Sequence, residues 1–199
     1  MVNFYLERML TELPSPYDLG AIRAGVVRWR NAIRDYKNRN ESDVCLIERG
    51  EAVLQDVGAS KVLRAILGNS TYLSECVLTD PAFFCDLVSS DPQETAKMLT
   101  EDILGKRNSF TNDTDLMKYL RIMKRRMSLT IGVADICNIW GLDQITWQWS
   151  TFADLALSST VTHLLRIFAK TGDWILKNEA EPEVDSGFFI IGMGFHNFN

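Results

Sequence analysis

The chain has few of the residues on which metal and nucleophile chemistry depends. Its 199 residues include two histidines, His163 and His196, and four cysteines, Cys45, Cys76, Cys85 and Cys137. No two cysteines stand in Cys-x-x-Cys spacing, which argues against a structural zinc site. Isolated cysteines on apolar stretches act as small buried hydrophobes, a usage that fits a reducing cytoplasm. Nowhere do about eighteen apolar residues run together, so no membrane span is predicted. Met1 to Leu13 is interrupted by Glu7, Arg8 and Glu12 and has no signal-peptide core. Basic excess is also missing: the net charge is −5 and the pI about 5.1, so there is no electrostatic footprint for nucleic acid. No Gly-x-Ser-x-Gly element, His-x-x-x-His pair or complete P-loop occurs.

What the chain does have is apolar residues, 46% of the total, enough for a core in one large or two small domains. Most recur at helical spacing. Leu6, Met9, Leu10 and Leu13 do so before Pro14-Ser15-Pro16 breaks the pattern. Leu19, Ile22, Val26, Trp29, Ile33 and Tyr36 predict an amphipathic helix whose outer face carries Arg23, Arg28, Arg30 and Arg34. A solvated face is the reading for those arginines. Lys37 to Asp43 reads as a loop. Val44 to Val57 predicts a helix containing Gly50. Ser60 is expected to cap a helix over 61–67, with Gly68 ending it in a left-handed turn. Short helices follow over 71–78 and 82–88, separated by Asp80-Pro81. Asp91-Pro92-Gln93-Glu94 predicts a helix start with Asp91 as cap and Pro92 in the first position, and Gly105 is expected to end that helix.

Two long helices dominate the second half. Leu116, Tyr119, Leu120, Met123, Met127, Ile131 and Ala134 form a stripe over 113–138, about 39 Å of helix, with Trp140-Gly141 as its stop. The next runs over 143–170, with Ile145, Trp149, Phe152, Ala153, Ala156, Leu157, Val161, Leu164, Leu165 and Phe168 on its apolar face and Gly172 beyond its end. A short connection makes the pair antiparallel, and Ala134, Ala153 and Ala156 would permit close approach. Trp174 to Asp185 reads as an acidic linker with Glu179, Glu181, Glu183 and Asp185. After the turn signal Asp185-Ser186-Gly187, Phe188 to Ile191 reads as a buried strand running into Gly192-Met193-Gly194. Gly-x-Gly after a strand lets backbone N–H groups approach a phosphate. A dinucleotide-binding unit is rejected, because no third glycine follows.

Candidate chemistry inside the helical part is sparse. Arg121, Arg125 and Arg126 with Asp135 would suit a phosphate; the plainer reading is a salt-bridged helix face. Asp135 and Asp154, on helices expected to pack together, would suit a metal ion; the plainer reading is a carboxylate meeting an arginine at a seam. His163 has no partner nearby in sequence and reads as helix surface or satisfied core.

Several segments, in order, carry a resemblance. These are Gly68-Asn69-Ser70-Thr71-Tyr72-Leu73-Ser74 followed by Asp80-Pro81; Leu120-Arg121 with Arg125-Arg126, Thr130-Ile131 and Ala134-Asp135; Ser150-x-Phe-Ala-Asp154-x-Ala-Leu157; and Ser186 to Gly194. Together, over roughly residues 15 to 194, the chain resembles the N-terminal part of the bacterial glutamine synthetase adenylyltransferase/adenylyl-removing enzymes. The resemblance implies a mostly α fold: a helical bundle body (1–172) with two long antiparallel helices, an acidic linker and turn (173–187), and the first strand of an incomplete nucleotidyltransferase α/β core (188–199). It implies Gly192 and Gly194 as the start of a nucleotide-binding turn, and glutamine synthetase as partner, with a nitrogen-regulatory signalling protein as a further one. Family members use magnesium and ATP or ADP, the metal held by an Asp-x-Asp pair beyond the Gly-x-Gly. Here Phe195-His196-Asn197-Phe198-Asn199 follows instead, without the lysine, the next glycine turn or the aspartates. The expectation is a truncated chain that binds no cofactor productively and neither adds nor removes AMP by itself. An autonomous helical interaction module and a decayed gene product are the other two readings.

Overall fold

The computed structural model describes residues 13–15, 17–39, 45–172, 174–179 and 181–191. Eight helices follow one another: α1 Leu19–Arg39, α2 Leu46–Gln55, α3 Val57–Asn69, α4 Thr71–Thr79, α5 Pro81–Leu87, α6 Pro92–Lys106, α7 Asp113–Ile136 and α8 Leu142–Thr171. The mostly α expectation holds. The helix read over Leu6 to Leu13 lies almost wholly outside the described residues. Phe188 to Ile191 has neither helical nor ladder hydrogen bonds.

Polar residues at the helix ends set most boundaries. Asp18, Ser70, Asp80, Asp91 and Asn112 each accept a backbone N–H from the first turn that follows, satisfying donors that a helix leaves open. Asp91 and Pro92 take their expected places at the start of α6. Three expected boundaries are corrected. Ser60 lies within α3, because Asp56 caps that helix earlier by accepting from the Ala59 N–H at 2.8 Å. Gly68 is buried inside the same helix rather than ending it, and Ser70 takes over both as its C-cap and as the N-cap of α4. Gly105 likewise lies within α6, which ends at Lys106. α7 stops before Trp140-Gly141. Asn138 turns left-handed (φ 53°), and the Ile139 and Asn138 amides bond back to Ala134 and Asp135 at 2.8 and 2.9 Å, which is the Schellman arrangement. Gly172 (φ 84°) closes α8.

The core has two parts that share α7. In the first, Trp29 and Ile33 of α1 pack with Leu46, Val53, Leu63, Ile66, Val77 and Phe84 of α2 to α5 against Leu129 and Val133. Trp29 meets Phe84 edge-on at 5.6 Å, and its indole N–H donates to the Gly50 carbonyl at 3.2 Å. A side chain at Gly50 would run into Ile33, so this close approach of α1 and α2 requires glycine. In the second part, Ala96, Leu99 and Ile103 of α6 and Phe152 of α8 enclose Met123, Met127, Ile131 and Ala134. Each large side chain so buried contributes about 1.5–3 kcal/mol. α8 returns antiparallel beside α7, and His163 Nε2 reaches Asp113 Oδ1 at 2.8 Å across the far end of the pair. Ala134 is in the seam, whereas Ala153 is exposed and takes no part in it.

Polar contacts fix α7 to its neighbours. The Arg126 Nε donates to Asp80 Oδ2 at 2.8 Å, and its guanidinium lies 5.1 Å over the Phe83 ring. The Asp80 side chain is only 6% exposed. Further towards the start of α7, on the same side, Asp102 accepts from Tyr119 Oη at 2.8 Å and from Lys106. Burial pushes the Asp102 carboxyl up, but hydrogen bonds from Lys106 and Tyr119 and the charges of Lys106 and Arg126 outweigh it, leaving the group below its ordinary value. Burial first, then Asp102, holds the Tyr119 phenol well above its ordinary range.

Two outcomes follow. Arg126→Ala strands a buried carboxylate and should cost about 3 kcal/mol in urea unfolding. Arg28→Ala, which breaks an exposed pair with Glu75, should cost less than about 1 kcal/mol; equal losses would show that the Asp80 contact is not structural. Because the folded carboxyl of Asp102 is depressed, its stabilisation is present above the unfolded value and is lost as pH falls through the folded one. Asp102→Asn should therefore flatten the acid limb of the stability–pH curve, read as melting temperature between pH 6 and pH 2.

Candidate functional site

The apolar pattern of α8 is wider than the face it buries. Phe152 enters the second core, with Ile145, Leu155 and Ala156 packed beside it. Trp147, Trp149, Leu157, Leu164 and Phe168 remain exposed, and of these Leu157, Leu164 and Phe168 share the outer side. The segment after α8 folds back along this outer side. Trp174 and Phe188 close over Val161, Leu164, Leu165 and Phe168 around an apolar cavity of about 400 Å³. Next to it lies a longer groove of about 590 Å³, bounded by Ala153, Leu157 and Val161 on α8 and by Phe188 to Ile190. Phe189 and Ile175 are 75% and 89% exposed. Cavity and groove lie side by side, the first almost wholly apolar and the second interrupted by Ser150, Asp154 and Ser158; exposed apolar side chains rimmed by polar ones in this way are a feature of interaction surfaces.

One carboxylate gives this surface a polar anchor. Glu183 accepts from Ser158 Oγ at 3.0 Å and from Thr162 Oγ1 at 2.9 Å. It also pairs with Arg107, just past α6, at 2.6 Å. Arg107 Nε in turn donates to Thr162 Oγ1 at 3.0 Å. Glu183 was visible in the sequence only as one of four acids in a linker; its partners come from residues far away along the chain.

Gly192 and Gly194, the residues expected to open a nucleotide-binding turn, lie outside the described residues, as does His196. Arg121, Arg125, Arg126 and Asp135 do not assemble a phosphate cluster, and for Arg126 the plainer reading of a salt-bridged helix face holds. Arg126 is taken by Asp80. Arg121 and Arg125 line a separate shallow pocket with Lys124, Tyr72 and Thr79. Asp135 is at the other end of α7, 14 positions from Arg121, a separation of about 21 Å. Asp135 and Asp154 do not meet either. Both are exposed, and no group of three metal-ligating side chains occurs among the described residues. The plainer reading, a seam carboxylate facing an arginine, is not realised for these two. His163 is 5% exposed and satisfied by Asp113, the satisfied-core reading. None of the four cysteines is in a disulfide, and burial raises the Cys137 thiol to about 11, so it is an inert core residue.

One Asp-x-Asp pair, Asp113-Thr114-Asp115, occupies the first turn of α7. On a strand, alternate side chains share a face; on a helix, residues two apart point to different sides. Asp113 accordingly faces His163 and Asp115 faces Asn112. The pair does not converge on one ion, so the described residues do not fit the magnesium site that the resemblance implies.

The family model "Glutamate-ammonia ligase adenylyltransferase" matches residues 60–196, from α3 through α8 and into the segment beyond. Among curated proteins, the bifunctional glutamine synthetase adenylyltransferase/adenylyl-removing enzyme of Rhodopseudomonas palustris strain BisB5 is 31% identical over 132 residues, 66% of this chain and 13% of that protein. Its counterpart in Agrobacterium fabrum is 28% identical over 200 residues, 95% of this chain and 19% of that protein. That of Rhizobium meliloti is 33% identical over 82 residues, 41% and 8% respectively. The chain thus spans less than a fifth of the length of each of these relatives. No solved structure matches. With the family match covering more than half of its residues, in the same helices that carry the motifs, the chain belongs to the glutamate-ammonia ligase adenylyltransferase family.

Proposed function

We propose that these residues form the helical scaffold of the N-terminal, adenylyl-removing half of a glutamine synthetase adenylyltransferase, and that the outer face of α8 with Trp174 and Phe188 to Ile191 receives the nucleotidyltransferase core. The observation that carries this reading is the apolar surface itself. It is continuous with the segment through which the family match runs on to residue 196. A self-contained helical bundle has no use for so many exposed tryptophan, phenylalanine and isoleucine side chains, and their removal from water would favour docking at about 25 cal/mol per Å². Gly192 and Gly194 are the start of the nucleotide-binding turn in this reading, and the partner of the assembled enzyme is glutamine synthetase, in the cytoplasm. Magnesium and ATP or ADP, which the family uses, are not expected to bind productively to this chain. The scaffold's own carboxylates face His163 and Asn112 rather than one another, so the isolated chain is not expected to transfer or remove AMP.

A second reading, an interaction module that binds glutamine synthetase or a nitrogen-regulatory signalling protein without chemistry of its own, is favoured by the complete core of the helical body. Both readings are tested together. Residues 1–191 replace the matching segment of the Agrobacterium fabrum relative, and AMP release from adenylylated glutamine synthetase is measured. The chimera should be active, and the isolated chain should show no AMP transfer or release. Leu157→Asp, on the outer face of α8, should lower the chimera's rate at least about tenfold, yet barely move the melting temperature of the isolated chain, as surface changes do. An inactive chimera would reject the scaffold reading. Capture of glutamine synthetase by the isolated chain would then favour the module.

A further inference from the structure

The acidic stretch between α8 and Phe188 is not uniform. Glu179, Glu181 and Asp185 form no side-chain ion pair among the described residues, whereas Glu183 collects three partners from two parts of the body. Both Glu183 and Arg107 have side chains more than two-thirds buried, at 29% and 28% exposure. The Thr162 hydroxyl accepts from Arg107 Nε and donates to Glu183 Oε1, closing a ring of three side chains. Thr162 itself is fully buried, so the ring is fixed to the middle of α8. Charge-assisted, multiply bonded contacts of this kind are the strong ones.

The residues after Glu183 form a locally hydrogen-bonded turn. The Val184 and Ser186 amides bond back to Glu181 and Glu183. Asp185 and Gly187 both take left-handed φ values, 55° and 73°, and the Phe188 amide donates to Ser186 Oγ at 3.1 Å. Aspartate and glycine are residue types that enter the left-handed region at little cost, so the two together suit a reversal of the chain at this point. Phe188 then lines both the apolar cavity and the groove on α8. Position and direction are therefore set in sequence: first the carboxylate, then the turn, then the aromatic ring.

We propose that Glu183 is a positioning residue. Through Arg107, Ser158 and Thr162 it fixes where, and in which direction, the chain leaves the helical body towards Gly192 and Gly194. Its consequence for AMP removal rests on the scaffold reading above, in which that segment opens the nucleotidyltransferase core. A tether without this contact would leave the glycine turn free to take many orientations, and misplacement of a reacting group by about 1 Å costs on the order of a hundredfold in rate.

Hydrogen exchange on the full chain tests the contact directly. Glu183→Ala should speed exchange of amides 184–191 about tenfold, the loss expected of a partly buried charged contact, with exchange in α3 and α7 unchanged. The reversed pair Arg107→Glu with Glu183→Arg should restore part of the protection. Unchanged exchange in 184–191, or equal acceleration in α3 and α7, would overturn the proposal. In the chimera, Glu183→Ala should lower the rate of AMP removal, and the reversed pair should recover part of it. Local loosening with an unaltered rate would show that the contact positions nothing, and would also overturn it. If the unmodified chimera is inactive, the scaffold reading fails, and the exchange measurement alone decides whether Glu183 fixes the exit of the chain.

Discussion

A carboxylate cannot remain in a protein interior without a partner, and the buried Asp80 is the clearest such constraint here. Its oxygens face two demands, the open amides at the start of α5 and the guanidinium of Arg126. Apolar contacts between helices tolerate small slides, because one methyl group serves nearly as well as the next. The ion pair does not, since removing either charge strands the other. It therefore selects which turn of α7 lies against α5. Phe83, under the guanidinium, borders both parts of the core. The Asp-Pro element and the arginine-rich helix, separate motifs in the sequence, are thus the two halves of one contact. The role that structure gives Arg126 is architectural.

Helix existence was legible almost throughout, because the apolar spacing is regular and Asp91 and Gly172 are strong end signals. The failures have physical causes. Ser60 and Gly68 have the right chemistry for helix ends, but Asp56 and Ser70 had already satisfied the open backbone groups there. One stripe was read on α7 from Met123, Met127, Ile131 and Ala134; the opposite stripe of Leu129 and Val133 was missed, because a helix buried on two sides loses the contrast that a single-face pattern needs. The candidate site was less legible than the fold. α8 showed that it was apolar, but not that only part of that surface would be covered. Glu183 looked like any solvated acid, since nothing local distinguishes it from Glu179 or Glu181. Arg107, Ser158 and Thr162 meet it only after α6 and α8 have packed.

The two kinds of surface on α8 divide its labour. Ile145, Phe152 and Leu155 hold the body together. Trp147, Leu157 and Phe168 contribute nothing to that core and remain wetted. Stability of the helical body and affinity for whatever covers α8 are in this way carried by different residues of one helix, and substitutions can alter one with little effect on the other.

The placement of α7 between two cores also dictates where the chain can change length. Each residue turns a helix by about 100°. One residue inserted between Met123 and Val133 would carry Leu129 and Val133 out of the first core, or Met123 and Met127 out of the second, and neither side could be repaired without spoiling the other. The connections at 107–112 and 174–179 carry no such double obligation. Homologous chains should therefore differ in length at those connections and keep the span from Arg126 to Asn138 at a constant count, so that α7 serves as the ruler against which the rest of the chain is aligned.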